Sequence, residues 1–287
     1  PILGANDRIR TGFIGMGNRG TQLLKSFISN EDCQAVAYCD VYEPYLRREP
    51  SGIPESLRRE IGGNIPEMDE DPGGKIAKFS DFRKMLEMKD LDAVVISTPD
   101  HWHAIQTIQA CESGRDVYVE KPLTISIREG RRMVEAARRN SRVVQVGLQR
   151  RSSKAYAHFK RRIDGGDLGK ITTARAFRVS NMAPGGIGRY PVTDPPSGLD
   201  WDMWLGPRAW QDYRENIHPY KFRWWRNYSS QLGNWGVHYF DAIRWMLGEE
   251  APETVTAVGG RFAVDDDRTI PDTLEVTFRM PSGSLLV

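Results

Sequence analysis

The chain has 287 residues, room for about two domains and a sizeable core. With 39% hydrophobic and 27% charged residues it is not a disordered chain, and a net charge of +2 with no basic stripe interleaved with aromatics argues against a nucleic-acid partner. Its three cysteines, Cys33, Cys39 and Cys111, show no CxxC or Cys/His spacing, so neither a disulfide framework nor a metal site is expected; the longest apolar runs, such as Ala93 to Ile96, are too short to cross a membrane.

The first half alternates short apolar runs with amphipathic stretches. Ile9 to Ile14 reads as a buried strand, and Leu23, Leu24, Phe27 and Ile28 come next at helical spacing. Ala35 to Cys39 is a second strand. Residues 43 to 74 are polar and broken by Pro and Gly, which predicts a short helix and a surface loop. Ser80 or Asp81 caps a helix carrying Phe82, Met85 and Leu86. Ala93 to Ser97 is a strand, Ile105 to Cys111 a helix and Val117 to Val119 a strand. Ser126 to Glu129 spells a capping box before a helix with Met133, Val134 and Ala137, and Val143 to Val146 is the next strand. Such alternation predicts an α/β fold: a Rossmann domain over residues 1–150 with a parallel sheet and helices on both faces.

After residue 150 the pattern changes. Tyr156, Phe159 and Ile163 mark a helix ended by Gly165 and Gly166, and Thr172 to Val179 reads as a longer strand. A Pro/Gly-rich stretch runs from Pro184 to Pro207. Helical spacing returns with Val237, Phe240, Ile243 and Leu247, and Val255 to Val258 and Leu274 to Phe278 read as strands. The expectation for residues 151–287 is an α+β substrate or oligomerisation domain with a mostly antiparallel open sheet. The chain begins abruptly at Pro1 and stops at Val287 in what reads as mid-strand, so both ends are expected to be cut.

Gly15-Met16-Gly17-Asn18-Arg19-Gly20 is G-x-G-x-x-G placed directly after a strand and before a helix. That context assigns a tight turn, a close pyrophosphate approach and close helix packing to the three glycines, with Asn18 and Arg19 beside the phosphates. Asp40 ends the next strand, twenty residues after Gly20, where a carboxylate accepts from the adenosine ribose. It favours NAD, because a 2′-phosphate would meet it; Arg47 and Arg48 nearby keep NADP open. The plainer reading is an ordinary glycine turn.

Two further segments end strands of the same sheet: Thr98-Pro99-Asp100-His101-Trp102-His103 and Glu120-Lys121-Pro122. Ligands of open α/β sheets bind beyond the strand carboxyl ends, so both should face the nicotinamide. A lysine there can shuttle a substrate hydroxyl proton, whereas an isolated lysine is more often a solvated surface group. His101 and His103 without a third nearby ligand make a weak metal pair. Gln149 and Arg151 come after the last strand and should line the site. Between Tyr220 and Tyr228 aromatics and arginines are dense, and Arg223, Trp224 and Tyr228 are candidates for a sugar ring and its hydroxyls; an aromatic core under a long loop explains the same pattern. His238, read as lying near a helix start, should there favour its neutral base form.

With Gly15 to Gly20, Thr98 to His103, Glu120 to Pro122, and Gly233-Asn234-Trp235-Gly236-Val237-His238 in this order, the chain resembles the Gfo/Idh/MocA oxidoreductases, which include glucose–fructose oxidoreductase and inositol dehydrogenase. The resemblance implies Lys121 as a catalytic group, His238 beside it, and a homo-oligomer, dimer or tetramer, built on the open sheet. Where such relatives often carry an aspartate four residues before the histidine, this chain has Asn234, which removes one titratable group but can still orient a hydroxyl. The implied activity is NAD(P)-dependent hydride transfer at a carbinol carbon of a sugar, sugar derivative or polyol. Two alternatives stand beside it: a glycoside hydrolase working by transient oxidation, elimination and hydration, and a non-catalytic NAD-binding protein. Leu3 to Arg10 also resembles the segment directly after the twin-arginine signal of exported family members.

Overall fold

A computed structural model of the chain describes residues 8–67, 76–179, 182 and 184–287, leaving most of the Leu3 to Arg10 segment outside the described residues. The chain forms two compact units, one of residues 1–147 and 190–222 and the other of residues 148–189 and 223–287. The first boundary falls at residue 147/148, and a 33-residue stretch, 190–222, groups with the first unit.

In the first unit the strands β1 (Ile9–Ile14), β2 (Cys33–Cys39), β3 (Ala77–Phe79), β4 (Ala93–Ile96), β5 (Asp116–Val119) and β6 (Val144–Val146) form one sheet in the order β3-β2-β1-β4-β5-β6, every pair parallel. This is the Rossmann order, whose reversal beside β1 opens a crevice at the strand carboxyl ends. Alternate residues serve opposite faces: Val94 and Ile96 join Met85, Ala110, Cys111, Met133 and Ala136, whereas Phe13 and Val95 join Leu23, Leu24, Tyr42 and Leu57. Phe13 and Ile96 are fully buried, each contributing roughly 1.5–3 kcal/mol of transfer energy. The helix α1 (Asn18–Ile28) comes after β1, α2 (Glu43–Arg47) and α3 (Glu55–Ile61) after β2, and α5 (His103–Glu112) after β4. Asp81 caps α4 (Phe82–Leu86) by accepting from the Arg83 N–H, and Ser126 and Glu129 form the expected capping box on α6 (Ile127–Arg139). The three-residue β3 lies between the loop expected over residues 43 to 74 and the cap at Asp81, where the sequence assigns no element; it is too short to show a period of its own.

The returning stretch is stitched to this unit by backbone and ring contacts. Glu43 N–H donates to the Gly198 carbonyl at 2.8 Å and Asp200 N–H to the Val41 carbonyl at 3.0 Å. Trp201 and Trp204, on α8 (Trp201–Leu205), stack with centroids 4.7 Å apart. His101 Nε2 and Trp102 Nε1 lie 2.9 and 3.0 Å from the Trp204 carbonyl.

In the second unit α7 (Lys154–Asp164) and α9 (Val237–Leu247) accompany a four-stranded sheet of order β7-β10-β9-β8, with β7 (Thr173–Ala174), β8 (Thr254–Gly260), β9 (Thr273–Arg279) and β10 (Leu285–Leu286). β8–β9 and β9–β10 are antiparallel and β10–β7 parallel, so the sheet is mixed. Of the strand expected from Thr172 to Val179 the structure shows Thr173–Ala174, and the Ala176 N–H donates to the Val287 carbonyl at 2.8 Å; Phe177 and Val179 beyond it are exposed. The loop before β9 holds a fully buried ion pair: Arg268 Nε lies 2.8 Å from Asp266 Oδ1, and the Ile187 N–H donates to Asp266 Oδ2 at 2.7 Å.

Candidate active site

Three neighbouring strands of the first unit, β1, β4 and β5, end in the glycine loop, Ser97–His103 and Glu120–Pro122. In the glycine loop, Gly15 has φ +90°, and a Cβ there would lie 2.8 Å from the Ser97 backbone. A Cβ at Gly20 would overlap the Gly15 carbonyl oxygen. Gly17 differs: a Cβ would meet nothing closer than Tyr45 at 3.4 Å. The protein itself does not forbid a side chain at Gly17, so its glycine leaves room for an incoming group. Gly17 is also the N-cap of α1 and places no side chain on the first N–H groups. An open space before uncapped donors at a positive helix end is what a pyrophosphate requires.

Asp40 lies just past β2. Its Oδ2 accepts from the Met16 N–H at 2.6 Å and its Oδ1 from the Tyr42 N–H at 2.9 Å, which fixes the carboxylate against the glycine loop. Burial pushes its pKa up to about 6, against the opposing pull of these N–H groups and of Arg48. The two arginines that would greet a 2′-phosphate are engaged. Arg47 pairs with Glu43, and Arg48 Nη1 donates to the Thr21 hydroxyl at 2.8 Å and lies 3.4 Å from the Met16 carbonyl.

In the second segment Thr98 Oγ1 donates to Gln106 Oε1 at 2.7 Å. His101 and Trp102 turn to the Trp204 carbonyl, and burial pushes the His101 pKa down to about 3, so a neutral ring donates there. His103 bridges the two segments, with Nδ1 2.7 Å from the Pro122 carbonyl and Nε2 2.8 Å from the Thr98 carbonyl. The polar atoms of these three rings thus tie backbone segments together. In the third segment Glu120 is buried, Lys121 is partly exposed, and the Lys121–Pro122 peptide is cis.

Of the sequence candidates in the second unit, Gln149 is exposed and Arg223 partly exposed. Trp224 and Tyr228 are core side chains, 4% and 0% exposed, as the plainer reading of the aromatic cluster has it. Arg151 is held in a two-point ion pair with Asp241, Nε–Oδ2 2.9 Å and Nη2–Oδ1 2.7 Å. Asn234 and His238 are both buried, and the Trp235 and His238 rings lie 6.1 Å apart. The free helix start expected before His238 is not there: a π-helical turn, Leu232–Gly236, carries Asn234 and runs directly into α9. His238 therefore lies inside a continuing helix, where the end-of-helix dipole argument does not apply. Among the described residues no group of three or more His, Cys, Asp or Glu is arranged to hold a metal ion, and no helix is long and apolar enough to cross a membrane.

Residues 9–148 match the family profile described as an oxidoreductase family NAD-binding Rossmann fold, and residues 177–279 match the same family's C-terminal alpha/beta domain. The chain belongs to the Gfo/Idh/MocA oxidoreductase family. It is 33% identical over 177 residues to scyllo-inositol 2-dehydrogenase (NAD(+)) of Bacillus subtilis, a match covering 62% of this chain and 46% of that protein. It is 32% identical over 136 residues to a glycosyl hydrolase family 109 protein of Shewanella putrefaciens, covering 47% of this chain and 27% of that one. The matches thus span less than half the length of these relatives. Among solved structures, the WlbA dehydrogenase of Bordetella pertussis in complex with NADH and UDP-GlcNAcA is similar with TM-score 0.64 and 22% identity, over 97% of this chain and 70% of that one. Scyllo-inositol dehydrogenase of Lactobacillus casei with NAD(H) and scyllo-inositol matches with TM-score 0.64 and 20% identity, over 98% and 68%. At these identities the structural likeness establishes the shared fold.

Sequence reasoning did not find the partners that organise these residues. Arg19 pairs with Glu120, 101 positions away, and Arg151 with Asp241, 90 away. No local pattern encodes such pairs.

Proposed function

We propose that the protein is an NAD-dependent dehydrogenase of a polyol, sugar or sugar derivative. The observation that carries this is the convergence of an open-fronted glycine loop, the Asp40 carboxylate bonded to that loop and the Lys121 segment on the carboxyl ends of neighbouring parallel strands. Gly15, Gly17 and Gly20 with the first N–H groups of α1 hold the pyrophosphate, with Asn18 flanking it, and Asp40 accepts from the ribose hydroxyls. Thr98 and Pro99 border the nicotinamide, whereas His101, Trp102 and His103 hold that border in place through the carbonyls they bond. When bound, NAD supplies a hydride acceptor.

Lys121 donates a hydrogen bond to the reacting substrate oxygen and exchanges the carbinol proton. His238 serves as the second proton-transfer group, and Asn234 orients a neighbouring hydroxyl; the resemblance to the family supports both. Arg223 and Gln149 remain candidates for substrate and cofactor contacts. Arg151 acts through Asp241, fixing the helix that carries His238. The similarity to inositol dehydrogenases favours a polyol or sugar carbinol as substrate.

The hydrolase reading draws on the similarity to the glycosyl hydrolase family 109 proteins. Both readings use the same cofactor, and net turnover separates them, because only the dehydrogenase accumulates NADH. A homo-oligomer is implied by the resemblance, and the exposed Val255 and Val258 on β8 suit a sheet-mediated contact. Sedimentation of wild type and Val258→Lys tests it: a wild-type protein that sediments as a monomer would reject the oligomer.

A further inference from the structure

Glu120 sits at the end of β5 with 4% of its surface exposed, so its charge must be compensated within the protein. Its Oε1 receives Arg19 Nε at 2.7 Å, and its Oε2 receives the backbone N–H of Lys121 at 3.0 Å. One carboxylate thus joins the first turn of α1, which begins the phosphate site, to the backbone of the adjacent lysine. The space around it is tight. A Cβ at Gly147 would come within 2.9 Å of Glu120 Oε1 and 2.7 Å of the Tyr118 hydroxyl, so residue 147 must lack a side chain for the carboxylate to sit where it does.

We propose that the Arg19–Glu120 pair is a positioning strut that sets both the placement and the protonation of Lys121. Arg19 is thereby assigned to Glu120 rather than to the cofactor phosphates. Arg19, Glu120 and Tyr118 lie around the segment, and His103 bonds the Pro122 carbonyl beside it. Of these, Arg19 and Glu120 are the charged pair, and paired at 2.7 Å they offset one another's field beside the lysine. Removing one exposes the other. Without Glu120, the Arg19 cation disfavours the protonated lysine; without Arg19, the buried carboxylate favours it. An uncompensated unit charge about 10 Å away moves a neighbouring amine by about 0.5–1 pH unit at an effective dielectric of about 30.

The consequence for catalysis rests on the proposed proton-transfer role of Lys121, but the strut itself is tested without turnover. The experiment measures the titration of the Lys121 amine in cofactor-free protein, by pH-dependent competitive acylation read by mass spectrometry. The variants are Glu120→Gln, Arg19→Met and the double substitution, with Arg19→Lys as the conservative control. Lys121 should titrate about 0.5–1 unit lower in Glu120→Gln, higher by a similar amount in Arg19→Met, and close to wild type in the double variant and in Arg19→Lys. NADH affinity in Glu120→Gln should hold or tighten, because a cation is released beside the phosphate site. Shifts of the same sign in both single variants, or no shift in either, would overturn the proposal. So would a tenfold loss of NADH affinity in Glu120→Gln with Lys121 unmoved, which would make the pair a scaffold of the loop alone. If instead Lys121→Ala keeps full turnover while the opposite shifts are seen, the strut stands and the catalytic role of Lys121 falls.

Discussion

Acidification should detach the cofactor from this protein through one carboxylate, Asp40. Burial raises its pKa to about 6, and each of its oxygens already accepts one backbone N–H, from Met16 and Tyr42. Each oxygen keeps a second lone pair for a ribose hydroxyl only while the group is ionised. If NADH binds the ionised form alone, the apparent Kd scales as one plus the ratio of protonated to ionised Asp40. Binding should then be about twofold weaker at pH 6, about tenfold weaker at pH 5 and constant above pH 7. The folded pKa lies above the ordinary value of 3.8, so the empty fold takes up the proton readily. The stability that this raised group contributes is present at low pH and is lost as pH rises toward 6, opposite to the trend in binding. Acid loss of NADH at Asp40 is therefore distinguishable from acid unfolding. The assay is NADH fluorescence titration from pH 5 to 8 on wild type and Asp40→Asn, with far-UV circular dichroism at each pH. Asp40→Asn should bind about tenfold or more weakly at pH 8 and show a flat profile. A flat wild-type profile, or the same slope in Asp40→Asn, would refute the placement of Asp40 at the ribose.

Other consequences are as direct. NADPH should bind more weakly than NADH, since its 2′-phosphate meets Asp40 while Arg47 and Arg48 are engaged elsewhere; competitive titration of the two decides it. Gly20→Ala should destabilise the first unit by roughly 1–3 kcal/mol and abolish NADH binding, because the added methyl overlaps the Gly15 carbonyl; urea titration and NADH fluorescence report the two effects. Arg268→Met strands the buried Asp266 and should cost about 3–5 kcal/mol in urea unfolding of the second unit, with NADH affinity unchanged. Arg151→Met should lower turnover more than NADH affinity, since Arg151 holds Asp241 one turn beyond His238; equal losses in both would contradict its assignment to that helix.

The fold was legible where the signal is local. The glycine loop, the capping box at Ser126 and the apolar run of β4 are each encoded within a few residues, and the structure shows all three. Two features escaped the sequence for physical reasons. β3 is three residues long and owes its existence to its neighbour β2. Residues 190–222 return to the first unit through backbone bonds to Val41 and Glu43 and through the Trp204 carbonyl, contacts that composition cannot reveal. At the candidate site the sequence picked out residue types well suited to NAD and proton transfer. It did not show which of them are bonded to each other: His101 and Trp102 turn to one carbonyl, Arg19 to Glu120, Arg151 to Asp241. It also placed His238 at a helix start, where a π-helical turn continues the helix backward.

The central claim, NAD-dependent oxidation of a carbinol with Lys121 exchanging the proton, is tested most directly by one assay. The protein and Lys121→Ala are incubated with NAD and a panel of inositols, sugars and aryl glycosides, with NADH absorbance and free aglycone recorded together. NADH should accumulate with at least one polyol or sugar, with no catalytic aglycone release. Lys121→Ala should lose about 100-fold or more of that rate at nearly unchanged NADH affinity. Aglycone release without NADH accumulation, or full turnover in Lys121→Ala, would contradict the claim.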